Sequence, residues 1–580
     1  MPTIAYAIAM PDPRTHLFHV TIEVKGLAAE SVDFVFPAWT PGSYKIRDYA
    51  RNVQGWESSL PSRKIDKQTW RVTAGGRDLR VTYRVYAFEL NVRGLFLTED
   101  HGYFNGAALF PYIDGHKDAP VSLVVSVPKR WRIATGLGLS GKGRLQRFEA
   151  ASYDILVDSP VECGRFALHE WRSLGKRHRI AIQGRGNFDA KRLVADLKKI
   201  VETEAAMFGG LPYEHYTFIL NLTTTEGGGG LEHLNSTSLQ THPMAFKPRK
   251  RYEQFLELAA HEFFHLWNVK RIRPAALGPF DYTKEALTTL LWAMEGVTSY
   301  YDWLVPRRAG LVTPARYLED LAERLQRFDE KPGRRHQSLS ESSFDAWIKF
   351  YNPNENTANA QVSYYEKGAI VAMLLDFEIR LRTRNAKSLD DMMRKLWNDH
   401  GRRDAGFPEP EYRRAAEAVA GAGLASFWRD HVDGRAEIDY GRFFAVAGLE
   451  LRREVKKDDG KPGPAQKAWL GVIAGRAGDR VAVAGVRSGS PAEKAGICVK
   501  DEILALDGLR IDAESWASRL DERAIGDRVR LTFFRDGERR DALAVLGRRE
   551  NVTWKLSPVK KPTALQRAVY ESWLRTTWPK

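Results

Sequence analysis

The sequence predicts a multidomain α+β protein, with a β domain first, an α/β core bearing a helical lobe in the middle, and a small β domain near the C-terminal end. Three observations predict this. The chain has 580 residues, too many for one hydrophobic core when domains typically hold about 100–200. Near residue 189 the apolar pattern changes from a period of two to a helical period, which is the difference between half-buried strands and amphipathic helices. The segment "EVKKDDGKPGPAQKA" (454–468) then breaks both patterns with charge, Pro and Gly.

The elements follow in order. Residues 1–170 form the N-terminal β domain: "HLFHVTIEVKGL", "SVDFVFPAW", "RVTYRVYAFEL" and "VSLVVSVP" alternate apolar and polar residues between turn-rich stretches. Residues 171–453 form the middle domain. Its helix "AKRLVADLKKIVETEAAMFGG" leads to the strand "YTFILNLTT", a glycine run and the helix around "LAAHEFFHLW". Helical patterns continue through "YTKEALTTLLWAMEGVTSYYDWLV", "PARYLEDLAERLQRF", "YYEKGAIVAMLLDFEIRLRT" and "EYRRAAEAVAGAG". Residues 454–468 are expected to be a linker, because their composition favours solvated, flexible chain. Residues 469–549 read as a β domain with two short helices. In the tail, 550–580, Leu565, Val569 and Trp573 share a helical face and predict a docking helix.

Composition narrows the function classes. Hydrophobic residues at 43% and charged residues at 28% are ordinary globular values, and no apolar run reaches the roughly 20 residues that span a bilayer. The first residues meet Asp12 and Pro13 before any signal-peptide core develops, so a cytoplasmic location is expected. The two cysteines, Cys163 and Cys498, support neither a disulfide framework nor a thiolate metal site, and both read as core thiols. The net charge of +15 comes from scattered clusters such as "KPRKR" and "KRIR". No long basic stripe interleaved with aromatics is present, so neither nucleic acid nor membrane is expected as a partner.

Chemistry concentrates in "LAAHEFFHLWNVKRIRP", 258–274. His261 and His265, four apart, lie on one helix face and can share one Zn²⁺, while Glu262 stands beside the position a water would take. That arrangement suits hydrolysis assisted by one zinc ion per chain. A third protein ligand is needed, and Glu295 offers one. It lies thirty positions beyond His265 inside the apolar "LLWAMEGVTSYY", where an ionised carboxylate is costly unless a cation compensates it. The alternative is a helix-surface carboxylate beside a break at Gly296.

Acyl hydrolysis also needs a hydrogen-bond donor for the developing oxyanion. "SYYEKGA" offers Tyr364 and Tyr365, which by themselves read better as packed core tyrosines. The glycines Gly227–Gly230 in "TTTEGGGGLEHLNS" permit close approach of a peptide backbone, or a flexible loop. Glu232, 29 positions before His261, is placed to share the cleft and capture a substrate ammonium, or is an ordinary loop carboxylate.

Together these stretches resemble the glycyl aminopeptidase family, gluzincin zinc peptidases with an N-terminal β domain and a C-terminal PDZ domain. "FPAWTPGSYKIRDYARNV" (36–53) resembles the signature of that family's N-terminal domain, and "HEFFHLWNVKRIRP" and "WAMEGVTSYY" resemble its zinc-binding segments. The resemblance implies His261, His265 and Glu295 as ligands and Glu262 as the catalytic base. "YYEKGA" implies Tyr365 as the oxyanion donor, and "GGLEH" aligns with G-x-M-E-N in larger aminopeptidases, implying Glu232 as the amine-binding residue beside Gly229 and Gly230; Leu231 and His233 depart from that pattern. "WLGV", "GSPAEKAGI" and "DEILALDG" are similar to bacterial PDZ domains, whose first loop binds a peptide C-terminus. The implied fold is a saddle-like β-sandwich domain, a thermolysin-like catalytic domain with a helical extension, and the PDZ module. The implied activity is release of an N-terminal Gly or Ala from peptides with a free N-terminus. A zinc endopeptidase with PDZ-guided substrate capture shares every catalytic residue, and a PDZ-centred binding protein with an inactive peptidase domain is the third reading.

Overall fold

The computed structural model describes residues 2–138, 143–224, 228–458 and 461–579. Gly227 of the glycine run and residues 459–460 of the expected linker lie outside the described residues. Contacts divide the chain into two units interleaved along the sequence. One comprises Met1–Thr288, Val297–Val312 and Leu389–Ala416; the other comprises Thr289–Gly296, Thr313–Ser388 and Glu417–Lys580.

In the first unit the N-terminal β domain contains a six-stranded sheet ordered Leu145–Ala150, Val121–Ser126, Thr3–Ala9, Leu17–Lys25, Leu79–Tyr86, Val53–Ser58. The expected alternation is visible in Leu17–Lys25, where Phe18, Val20, Ile22 and Val24 are all buried and the residues between them are not. A five-stranded sheet follows, ordered Ala167–Ser173, Lys176–Gln183, His215–Leu222, Ser236–Thr241, Gly229–Glu232. Its middle strands run parallel, and Gly229–Glu232 closes one edge antiparallel to Ser236–Thr241. The helix Ala190–Phe208 starts where Asp189 accepts a hydrogen bond from the Arg192 backbone N–H and stops at Gly209 in the left-handed conformation, a cap at each end. Phe208 at its end stacks on Trp267, just beyond the helix Arg249–Phe264.

The second unit holds the helical lobe and the PDZ-type sheet. That sheet runs Val472–Ala477, Arg480–Val486, Glu502–Leu506, Arg528–Arg535, Glu538–Val545, with Val481, Ile503 and Leu531 fully buried beneath it. The helix Ala564–Leu574 docks as the tail pattern predicts: Trp573 is buried against Tyr317 and Phe377, with ring centroids 5.6 and 4.9 Å away. Leu565 is only partly buried.

Three expectations need correction. The segment 454–468 contains paired strands, with Leu449–Val455 running antiparallel to Val552–Pro558 and Gln466–Trp469 to Gly547–Glu550. The Gln326 side chain ties this ribbon down, donating to the Val552 carbonyl and accepting from the Trp554 N–H, both at 3.0 Å. The pairing partners lie far along the chain, and local composition carries no signal of them. Tyr282–Leu290 is not helical, and regular helix begins only at the turn Trp292–Gly296. Cys163 is a buried thiol, but Cys498 is exposed, because the neighbouring Ile497 takes the inward position. Among the described residues no helix is long and apolar enough to cross a membrane.

Candidate active site

The helix Arg249–Phe264 presents His261 in its last turn, and His265 follows at its C-cap with φ −58° and ψ −20°, still helical. The two side chains therefore keep the common face expected for an i, i+4 pair. His261 Nδ1 donates to Asp302 Oδ2 at 2.8 Å, and His265 Nδ1 donates to the Asn268 carbonyl at 2.7 Å. Both partners only accept, so each ring carries its proton on Nδ1 and turns a lone pair outward at Nε2. The two Nε2 atoms are 3.0 Å apart. Lone pairs that close repel each other unless a cation lies against both, and nitrogens each about 2 Å from one zinc ion are separated by roughly this distance. The donor pair fits a metal.

Asp302 belongs to the helix Val297–Arg308, and Asn268 donates to Thr298 Oγ1 of the same helix at 3.1 Å, so this helix is pinned to the histidines twice. Glu295, 1% exposed, stands two residues before it, in the π-helical turn Trp292–Gly296. Such turns recur at functional sites because they re-aim a side chain. The ligand atoms of Glu232, Glu262 and His265 lie within 4.8 Å of one another.

Two glycines explain the setting of Glu295. A Cβ at Gly296 would stand 2.5 Å from the Gly368 Cα, and one at Gly368 would stand 2.8 Å from the Gly296 Cα. Backbones can approach so closely only where neither residue has a side chain. This contact brings the turn of Glu295 against the start of the helix Glu366–Arg382, whose N-cap is Tyr365. Burial, and then the Glu295 charge, push the Tyr365 hydroxyl well above its usual pKa, so it keeps the proton that a donor needs. Tyr364 is the packed core tyrosine of the pair, fully buried, while Tyr365 is partly exposed.

Glu232 ends the edge strand, buried to 4% exposure. Gly229 has φ +153° and is open above its Cα, while a Cβ at Gly230 would fall 2.2 Å from Glu262 Cδ. The strand edge thus lies flat against the motif glutamate. Gly230→Ala is expected to push that carboxylate aside and lower kcat by roughly 10- to 100-fold, since displacements near 1 Å are worth that much. Metal binding should be kept, and an unchanged kcat would show that Glu262 tolerates the displacement.

The departures Leu231 and His233 are anchors. Leu231 is buried, and its carbonyl accepts from Thr237 Oγ1. His233 Nδ1 bonds Asp158 Oδ1 at 3.1 Å, and Lys270 reaches the same oxygen at 2.6 Å. Burial alone would raise the Asp158 pKa, but Lys270 and His233 outweigh it and hold the group below the usual carboxylate range. Sequence reasoning missed Asp302 and Asn268. Asp302 was within reach, lying seven residues after Glu295, two helical turns along one face.

Helix, donor set and bare strand edge are those of a metallopeptidase. Residues 5–165 match the family model for the Peptidase M61 N-terminal domain, 254–371 that for M61 glycyl aminopeptidase, and 461–545 that for a PDZ domain. A crystal structure of an aminopeptidase N family protein from Idiomarina loihiensis is 31% identical with a TM-score of 0.92, covering 99% of this chain and 100% of that one. An M1 zinc metallopeptidase from Deinococcus radiodurans is 15% identical with a TM-score of 0.47, covering 75% of this chain and 94% of that one. A mutant of it bound to a Tyr-Ser-Ala substrate is 15% identical at 0.48, with the same coverage. No curated protein matches the sequence. The chain belongs to the M61 glycyl aminopeptidase family and is a metallo-aminopeptidase.

Proposed function

We propose that the enzyme releases N-terminal Gly or Ala from peptides with a free N-terminus, using one zinc ion held by His261, His265 and Glu295. When bound, the zinc would polarise the scissile carbonyl and bring the pKa of a water toward about 7. Glu262 takes the proton from the attacking water and passes it to the leaving amine. The Tyr365 hydroxyl donates to the carbonyl oxygen as negative charge builds there. The bare edge at Gly229 and Gly230 lets the substrate backbone lie alongside the strand. Glu232 accepts a hydrogen bond from the substrate ammonium, which fixes the first residue a set distance from the site.

The observation that carries the exopeptidase reading is the grouping of Glu232 with Glu262 and His265 within 4.8 Å. A second buried carboxylate that close to the base favours a cation there, and a substrate ammonium supplies one. The family's glycyl name supports a small first residue. The PDZ-type domain is read as binding a peptide C-terminus along Val472–Ala477, the outer strand of its sheet.

The test uses X-Ala-Ala peptides, free or acetylated at the N-terminus, with products identified by mass. Glu232→Ala is expected to lower kcat/KM on free peptides by roughly 30- to several-thousand-fold, the loss typical when one partner of a buried charge pair is removed. Acetylated peptides, poor substrates to begin with, should change little. Wild-type enzyme cutting acetylated peptides internally as fast as free ones would establish the endopeptidase reading instead.

A further inference from the structure

The segment "FPAWTPGSY" of the β domain carries a tight turn, Thr40–Ser43, closed by the Ser43 N–H on the Thr40 carbonyl at 3.1 Å. Pro41 and Gly42 occupy its two central positions, and Gly42 has φ +83°, the conformation a type II turn reserves for glycine. The turn is firmly held. Trp39 Nε1 donates to the Asp281 carbonyl at 3.0 Å, Ala38 N–H to the Tyr282 carbonyl at 2.7 Å, and Thr40 Oγ1 to Asn105 Oδ1 at 3.3 Å. Trp39, Thr40 and Ser43 are all buried.

What the turn rests on is the glutamate at the end of the strand edge. A Cβ at Gly42 would stand 2.6 Å from both Oε1 and Oε2 of Glu232 and from Leu231 Cδ1. We infer that Gly42 is a positioning residue for the amine site: its missing side chain lets the anchored turn close on the Glu232 carboxylate, fixing that group and walling off the space beyond the substrate's first residue. The inference rests on Glu232 being the amine-binding group. The β domain then contributes to specificity directly, and small N-terminal residues suit a site with a rigid wall.

The contact also predicts which side yields. Alanine is strained at φ +83°, but the turn is bonded at three points and resists that strain, whereas Glu232 is the free end of a flexible side chain. A methyl at position 42 must displace the carboxylate by the better part of an ångström to restore ordinary contact. Gly42→Ala is therefore expected to lower kcat/KM on free-amine peptides by roughly 10- to 100-fold, to leave acetylated peptides unaffected, and to retain zinc. Added to Glu232→Ala, it should lose most of its effect on free-amine peptides, because the carboxylate it acts through is gone and only the Leu231 contact remains. Pro41→Gly loosens the turn without adding an atom against Glu232. It should give a smaller loss confined to the same free-amine substrates, and it covers the case in which Gly42→Ala folds poorly.

The inference is overturned if Gly42→Ala or Pro41→Gly slows free and acetylated peptides equally, if neither variant changes the free-peptide rate, or if Gly42→Ala lowers the Glu232→Ala enzyme by its wild-type factor. A different result separates the underlying reading: Glu232→Ala slowing both substrates equally overturns the amine site itself, and the role of Gly42 with it.

Discussion

Dialysis against a metal chelator is expected to abolish turnover, and one equivalent of zinc to restore it. The expectation comes from the paired imidazoles. Asp302 and the Asn268 carbonyl hold the two Nδ1 protons, so the Nε2 lone pairs face each other at 3.0 Å. That arrangement favours a bound cation and is poorly compensated without one. Stability offers a readout independent of activity. A ligand that binds only the folded state at a hundred times its dissociation constant stabilises by about 2.7 kcal/mol, so the melting temperature should rise with added zinc and level off near one equivalent. Full activity in enzyme holding less than about 0.1 equivalent of metal would remove metal assistance from the reaction.

Glu262→Gln is expected to lower kcat by about 10²- to 10⁴-fold, the usual worth of a positioned general base. Gln keeps the size of the side chain that Gly230 packs against but cannot take a proton from water. Because Glu262 is not among the three groups assigned to the metal, zinc content should stay at one equivalent. The comparison with Gly230→Ala is informative, since that change displaces the same carboxylate without altering its chemistry. A Glu262→Gln enzyme with wild-type kcat would assign the proton transfer elsewhere.

Much of the site was legible in the chain because helix geometry is local. The four-position spacing of His261 and His265 puts both on one face whatever surrounds them, and the aromatic and aliphatic flanks marked that helix as buried. Strand alternation in Leu17–Lys25 and the change to a helical period near residue 189 were legible for the same reason. Glu295 was legible as a charge in an apolar run, though the π-helical turn that aims it was not. Where composition stood in for pairing, the reading failed: 454–468 looked like solvated linker, yet its flanking strands pair with 547–558.

The sequence by itself determined the motif helix, the types of residue available to a metal, a base and an oxyanion donor, and the order of the domains, because each depends on residues a few positions apart. Only the tertiary structure decided which carboxylate orients His261, why Gly296 and Gly368 must both be glycine, and that the turn at Gly42 rests on Glu232, 190 positions away. Those contacts depend on backbones approaching within a few ångströms across long stretches of chain. No local propensity encodes such an approach, and the glycines that permit it read, one at a time, as ordinary turns.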